Sequence, residues 1–366
     1  VSPETPPPSS AVRMLAAGFP PLDPTETKKY HDLVNNYLQS TLLRTNFNGS
    51  ILVAKNGTIV YEKYIGFSDP RVKDSITAET STQIASTSKT FTSAAILRLV
   101  SEGKLQLDDS VAKFFPGFSY PDVTVKTLLN HRSGLPEYLY FFEKQKWNRN
   151  TLITNNDVVN NLITQKPTRA FRPDARFDYC NTNFVLLASI VEKVTGQTFP
   201  NYMKTTFFEP LQMNHTFVYS PTTDSSQVTK SYNWDGRAWP MDFSDGPYGD
   251  KNIYSTPRDL LKWDQALYNG QVLEQKLLDT AFTAYSNERK TQHNYGLGWR
   301  LLEFNNDKRV IYHNGRWHGF NSAFARLTDE KVTIIILGNK YNRNVYTTAR
   351  KLYNLFGNYG GTDHVE

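Results

Sequence analysis

Strand-like segments stand at both ends of the 366-residue chain, with helical and loop-like sequence between them. Near the start, residues 50–55 and 58–66 flank Asn56-Gly57, a dipeptide that tolerates positive φ at both central turn positions and so marks a tight hairpin. Near the end, residues 298–304, 309–313, 321–327 and 332–339 are separated by short polar links such as Asn305-Asn306-Asp307 and Asp329-Glu330-Lys331, the pattern of an antiparallel meander. Hairpin and meander are expected to join in one sheet, with the middle of the chain inserted between them. The expected fold class is therefore α+β: an antiparallel β-sheet flanked by helices, with an inserted, mostly helical domain. Residues 23–78 and 290–360 would form the discontinuous sheet domain, and residues 79–289 the insertion. No internal repeat is visible.

The helices announce themselves by their ends. Asp23 and Thr25 are candidate caps and Pro24 suits a first turn, while Tyr30, Leu33, Val34, Tyr37, Leu38 and Leu42 recur on one helical face. Residues 87–102 form an apolar helix stopped by Gly103, and residues 184–194 another stopped by Gly196. Pro, Gly, Asp and Ser dominate residues 219–254, where long loops are expected. Helical spacing resumes over 260–268, and a last helix over 345–356 would cover one face of the sheet.

Several function classes drop out on composition. The longest apolar run, residues 332–337, falls far short of the roughly 18 residues that span a bilayer. The net charge of +6 comes from scattered lysines and arginines with no basic block, so no nucleic-acid partner is expected. The single cysteine, Cys180, permits no intrachain disulfide. Seven dispersed histidines give no zinc pattern, and no metal or cofactor is called for. No Gly-x-Ser-x-Gly elbow is present; Gly66-Phe67-Ser68 lacks its closing glycine. The first ten residues, VSPETPPPSS, are too rich in Pro and Ser to build a core. Residues 1–22 read as a poorly ordered linker behind a removed export signal or a lipid tether, which implies a periplasmic or envelope-attached protein.

Three short motifs carry chemistry. In Ser86-Thr87-Ser88-Lys89 the serine and lysine share a helical face, and a desolvated lysine can take a serine's proton. Ser101-x-x-Lys104 and Ser110-x-x-Lys113 have the same spacing. The first straddles a helix stop and the second reads as an N-cap, whereas Ser86 alone precedes a long apolar helix. Tyr179-Cys180-Asn181 offers a phenol for proton transfer and an amide that can donate and accept; Cys180 itself reads as a small buried residue. His313-Asn314-Gly315, placed at the end of a strand, offers a close backbone approach at the glycine and a hydrogen-bonding or cationic imidazole.

Their order, Ser-x-x-Lys, then Tyr-x-Asn, then a triplet ending in Gly, resembles the layout of penicillin-recognising serine enzymes. The chain is similar to the class C β-lactamase, D-Ala-D-Ala carboxypeptidase and esterase family from about Phe47 to Gly338. Supporting segments include Leu128 through Pro136 (LLNHRSGLP), Tyr254 through Leu260 (YSTPRDL) and Tyr295 through Trp299 (YGLGW). The resemblance implies a serine hydrolase with Ser86 as nucleophile and with Lys89 and Tyr179 sharing acid–base work. It also implies Asn181 on the acyl-side amide, and His313 in place of the lysine of the usual Lys-Thr-Gly triplet. The oxyanion hole would use the N–H groups of Ser86 and Arg316, the residue after Gly315. Arg316 and His318 are bulky for their positions, which suggests a reshaped pocket. His131 is expected to be structural. The substrate would be a small molecule or peptide, with a D-amino-acid peptide or small ester favoured over a β-lactam. A non-catalytic penicillin-binding-like sensor or scaffold is the alternative, disfavoured because Ser86, Lys89 and Tyr179 are all present.

Overall fold

The computed structural model describes residues 18–220 and 228–360. Helix α1 (Pro24–Ser40) leads into strands β1 (Gly49–Lys55) and β2 (Thr58–Ile65). Short strands β3 (Phe67–Asp69), β4 (Asp74–Ser75) and β5 (Thr82–Gln83) precede α2 (Ser88–Ser101). Helices α3 (Val125–Leu129), α4 (Tyr138–Lys144), α5 (Asn155–Thr164), α6 (Asn181–Thr195) and α7 (Phe199–Met203) follow. Strands β6 (Phe217–Val218) and β7 (Ile253–Ser255) form a small sheet with β5. Next come α8 (Pro257–Tyr268) and α9 (Gln275–Ala281). The chain closes with β8 (His293–Tyr295), β9 (Arg300–Glu303), β10 (Arg309–Trp317), β11 (Phe320–Leu327), β12 (Val332–Gly338) and α10 (Asn344–Leu352).

The large sheet is antiparallel, in the order β2-β1-β12-β11-β10-β9-β8, so the early hairpin docks on the last strand. Side chains of a strand alternate between faces, and β12 shows it. Ile334 and Ile336 pack with Val34, Leu38 and Val345 from the two terminal helices, whereas Ile335 and Leu337 join the core shared with the middle helices.

Local signals explain most boundaries. Asp23 caps α1 by accepting from Glu26 N at 2.9 Å, and Pro24 opens the helix; Thr25, the other candidate cap, lies inside it. Asn56 and Gly57 both have positive φ, +52° and +74°, as the tight hairpin requires. The last helix stops at Leu352 and continues only as a 3-10 turn to Leu355. Of the expected linker, residues 1–17 lie outside the described residues. Phe19 packs edge-on against Tyr268 and Leu22 N donates to Thr58 Oγ1, so the segment just before α1 is tied to the body by apolar and backbone contacts.

A buried ion pair ties α8 to the sheet. Arg326 Nε donates to Asp264 Oδ1 at 2.5 Å and Thr333 Oγ1 donates to Oδ2 at 2.6 Å, with both charged side chains almost wholly excluded from solvent. Removing one partner strands a buried charge, so Asp264→Ala is expected to cost about 3–5 kcal/mol, read from denaturant midpoints. An Asp264→Leu/Arg326→Met double variant should recover much of that loss; a single variant of wild-type stability would show that the pair is not held dry.

Candidate active site

Ser86 sits in the 3-10 turn Ala85–Thr87 that runs directly into α2. The sequence placed the helix start at Thr87; the turn moves it to Ser88. Ala85 has φ +47°, a left-handed conformation costing a non-glycine residue roughly 1–2 kcal/mol. Neighbouring bonds hold it there. Ile84 N donates to Ile253 O, Ser322 Oγ donates to Ile84 O at 2.6 Å, and Ile253 N donates to Ser88 Oγ at 3.1 Å.

One turn on, Lys89 is fully buried, and three oxygens surround its Nζ: Ser86 Oγ at 3.1 Å, Asn181 Oδ1 at 2.8 Å and Asp250 O at 2.7 Å. The same nitrogen lies 5.0 Å from the centre of the Tyr179 ring.

The Tyr179-Cys180-Asn181 segment enters α6 and is pinned from two sides. Cys180 N donates to His131 Nδ1 at 3.1 Å, and Asn183 Nδ2 meets the same atom at 3.1 Å while its Oδ1 accepts from Ser133. Two donors on Nδ1 put the imidazole proton on Nε2. The His131 ring packs on Tyr179 with centroids 4.3 Å apart, a structural role as expected. On the other side, Glu137 Oε2 accepts from Asn181 N at 2.7 Å and from Asn181 Nδ2 at 3.1 Å, which turns Asn181 Oδ1 toward Lys89. Burial raises the Glu137 carboxyl, and the Asn181 N–H works against that. The Asn181 amide, expected to face a substrate, thus has both ends engaged within the protein.

The His313-Asn314-Gly315 triplet lies inside β10, not at a strand end as expected. Pairing with β11 continues to Trp317, while pairing with β9 stops at Tyr312. From His313 onward β10 therefore has one edge without a named strand partner. A Cβ on Gly315 would lie 2.3 Å from Ile84 O and 2.9 Å from Ser86 N, so only glycine lets the strand pass this close to the nucleophile's own N–H. His313 is fully buried; Nδ1 meets Asn314 O at 2.7 Å, which leaves Nε2 to accept from Tyr295 OH at 3.2 Å. Burial first, then the nearby cations Arg300 and Lys89, pull its pKa well below 6.5. The direction of that shift favours the neutral imidazole over the cationic role considered from sequence.

His131 is depressed in the same direction, by burial and then by Lys89, His313 and Arg300. Both histidines titrate in the unfolded chain near 6.5 and resist protonation when folded, so the unfolded state binds more protons as pH falls. Their contribution to stability is complete above pH 6.5 and is lost below it. A urea midpoint measured at about pH 5 should be lower than at about pH 7.5; an equal or higher midpoint at the acid end would refute the buried neutral pair.

Ser86 and Tyr179 open into a cleft of about 400 Å³ also lined by Arg300, Gly315, Arg316 and Tyr346. His318, expected at this pocket, turns away. It has φ +51°, stacks on Trp239 and meets Asp245 Oδ1 at 2.9 Å, an oxygen that also accepts from Trp317 Nε1. Asp242, Asp245 and His318 bring ligand-type atoms within 4.8 Å of one another. Asp242 Oδ1 already accepts from Ser244 N, and Asp245 Oδ2 accepts from Asp242 N at 2.6 Å, so the cluster reads as a loop anchor. The sequence reading missed Glu137, Asp250, Tyr295 and Arg300. The only local signal for Glu137 is an acid opening the aromatic run Tyr138 to Phe142.

The family model described as Beta-lactamase matches residues 44–358. This chain belongs to the Beta-lactamase family. It is 31% identical over 318 residues to penicillin-binding protein 4* of Bacillus subtilis (strain 168), covering 83% of this chain and 70% of that protein. Among solved structures, a penicillin-binding protein from Bacillus halodurans superposes with TM-score 0.77 at 24% identity, covering 88% of this chain and 99% of that one. A class C β-lactamase superposes with TM-score 0.75 at 20% identity, covering 94% and 100%. Membership of the Beta-lactamase family supports a serine hydrolase in general. No helix among the described residues is long and apolar enough to cross a membrane.

Proposed function

We propose that this Beta-lactamase family member hydrolyses amides or esters through an acyl-enzyme on Ser86, and that D-amino-acid peptides or small esters suit it better than β-lactams. The observation that carries the reading is the 3.1 Å approach of Lys89 Nζ to Ser86 Oγ at the wall of an open cleft. Ser86 Oγ attacks the carbonyl carbon as its proton passes to Lys89 Nζ. Lys89 and Tyr179 deliver a proton to the leaving nitrogen or oxygen as its bond to carbon breaks. Water then attacks the acyl ester, the acid departs, and the serine regains its proton. The N–H groups of Ser86 and Arg316 would stabilise the oxyanion, a contribution of about 2.7–4 kcal/mol per donor. Gly315 and Arg316 line the cleft and would bind substrate, whereas Asn181, His313 and His318 would act on it by positioning their neighbours. Asn181 acts through whatever capacity Lys89 and Glu137 leave it, and His318 acts through its loop. A neutral His313 would not itself supply the positive charge of the lysine in the usual triplet.

The test is covalent labelling. A fluorophosphonate or a penicillin should leave its adduct on Ser86, located by mass spectrometry. An adduct elsewhere, unchanged in Ser86→Ala, would refute the assignment. The bacterial penicillin-binding relative supports export, to the periplasm or to a tether at the envelope. A membrane-impermeant version of the probe should therefore label the protein on intact cells; labelling only after lysis would refute export.

A further inference from the structure

We propose that the cleft beside Ser86 receives a leaving group bearing at least two negative charges, a phosphate or a dicarboxylate. This deepens the hydrolase reading and rests on it. The cleft wall carries four arginines, Arg300, Arg316, Arg343 and Arg350, together with His293 and several tyrosines, and no aspartate or glutamate lines it. Several guanidinium groups outside this cleft are met by oxygen. Arg258 sits on Glu62, Arg132 on Asp174 and Glu288, and Arg98 and Arg309 on backbone carbonyls. Among the described residues, no carboxylate or carbonyl takes up the guanidinium of Arg316, Arg343 or Arg350. Arg316 lies over the ring of Tyr341 at 4.5 Å, a contact that leaves the edge of its donor fork open.

The arginine wall is fixed relative to the nucleophile. Tyr346 of α10 donates to Gly315 O at 2.9 Å, and the Gly315 position abuts Ser86 N, so helix, strand and serine are one connected unit. Asn181, Glu137 and Asp250, which flank Lys89, do not line this cleft. The acyl part of a substrate therefore belongs on the Asn181 side, and the departing part extends along the arginines. A single carboxylate engages one planar guanidinium in a fork-to-fork pair and leaves the others uncompensated, whereas a dianion can bridge two. Converging charges of one sign also raise the encounter rate of an anionic substrate, an effect that added salt removes.

The experiment compares acetate esters of phenols whose ring carries no charge, one carboxylate, two carboxylates, or a phosphate. At low salt the dianionic esters should show kcat/KM about tenfold or more above the neutral one, the effect of roughly one hydrogen bond to a charged group, and salt should shrink the gap. An Arg343→Gln/Arg350→Gln double variant should collapse the ratio of dianionic to neutral kcat/KM, mainly through KM. Equal rates for neutral and dianionic esters in the wild type, or a ratio untouched by the double variant, would overturn the proposal. The phosphate and dicarboxylate arms distinguish the two sources of charge. If no ester is turned over in a Ser86-dependent way, the hydrolase reading fails by itself. The anion site is then judged by calorimetric titration of pyrophosphate and of isophthalate into Ser86→Ala protein. Binding that disappears with the arginine pair upholds the site, and no binding of either ion overturns it.

Discussion

Ser86→Ala is expected to lower kcat toward an activated ester by on the order of 10⁶-fold, the loss seen when a serine hydrolase is deprived of its nucleophile. The substitution deletes one oxygen at the cleft wall and leaves the backbone N–H groups, Lys89 and Gly315 in place. Ser86 is only partly buried, and its hydroxyl oxygen accepts from Lys89 Nζ. Stability should consequently change by no more than about 0.5 kcal/mol, as for surface-type substitutions. Thermal melting and ester turnover measured on one preparation separate the two effects. Retention of most of the activity by a folded variant would eliminate the acyl-enzyme mechanism outright.

Lys89→Met is the second large effect, with a different signature. Methionine keeps the length of the side chain and removes the amine, so kcat should fall by about 10²–10⁴-fold, the range supplied by a positioned acid–base group. Stability should fall as well, because Asn181 Oδ1 and Asp250 O lose their donor in a buried setting. Each unsatisfied acceptor costs roughly 1–3 kcal/mol. Rates of fluorophosphonate labelling, normalised to the folded fraction, read the kinetic part alone. A variant that melts early yet labels Ser86 at the wild-type rate would make Lys89 a structural prop and pass the base to another group.

The Ser-x-x-Lys motif was legible because helix geometry is local. Ser-x-x-Lys ahead of apolar residues forces the two side chains onto one face, and the 3-10 turn displaced the helix start by a single residue. The hairpin and the closing meander were equally readable, since turn chemistry and alternation are local too. The position of His313 was misread because strand length there is set by β11, a partner further along the chain, and not by the polar residues that follow the apolar run. Its depressed pKa comes from burial and from the nearby charges of Arg300 and Lys89, and no pattern within the triplet encodes that. Glu137 escaped notice for the same reason, as its role exists only once α4 is packed on the start of α6. His318 was assigned from its bulk next to Gly315, but its backbone turns left-handed and hands the ring to Asp245.

The order of the strands also governs when this molecule can begin to exist as a working object. Thr87 hydroxyl reaches the carbonyl of His313 across 226 positions, and β1, paired on one side with β2, finds its other neighbour only in β12. During synthesis the first two strands and the serine helix leave the ribosome long before the segments that complete them. A nascent chain must hold that apolar surface unpaired, a period of exposure to aggregation that grows with the separation of the pairing segments. A chain that ends before β12 lacks the strand that joins the early hairpin to the rest of the large sheet.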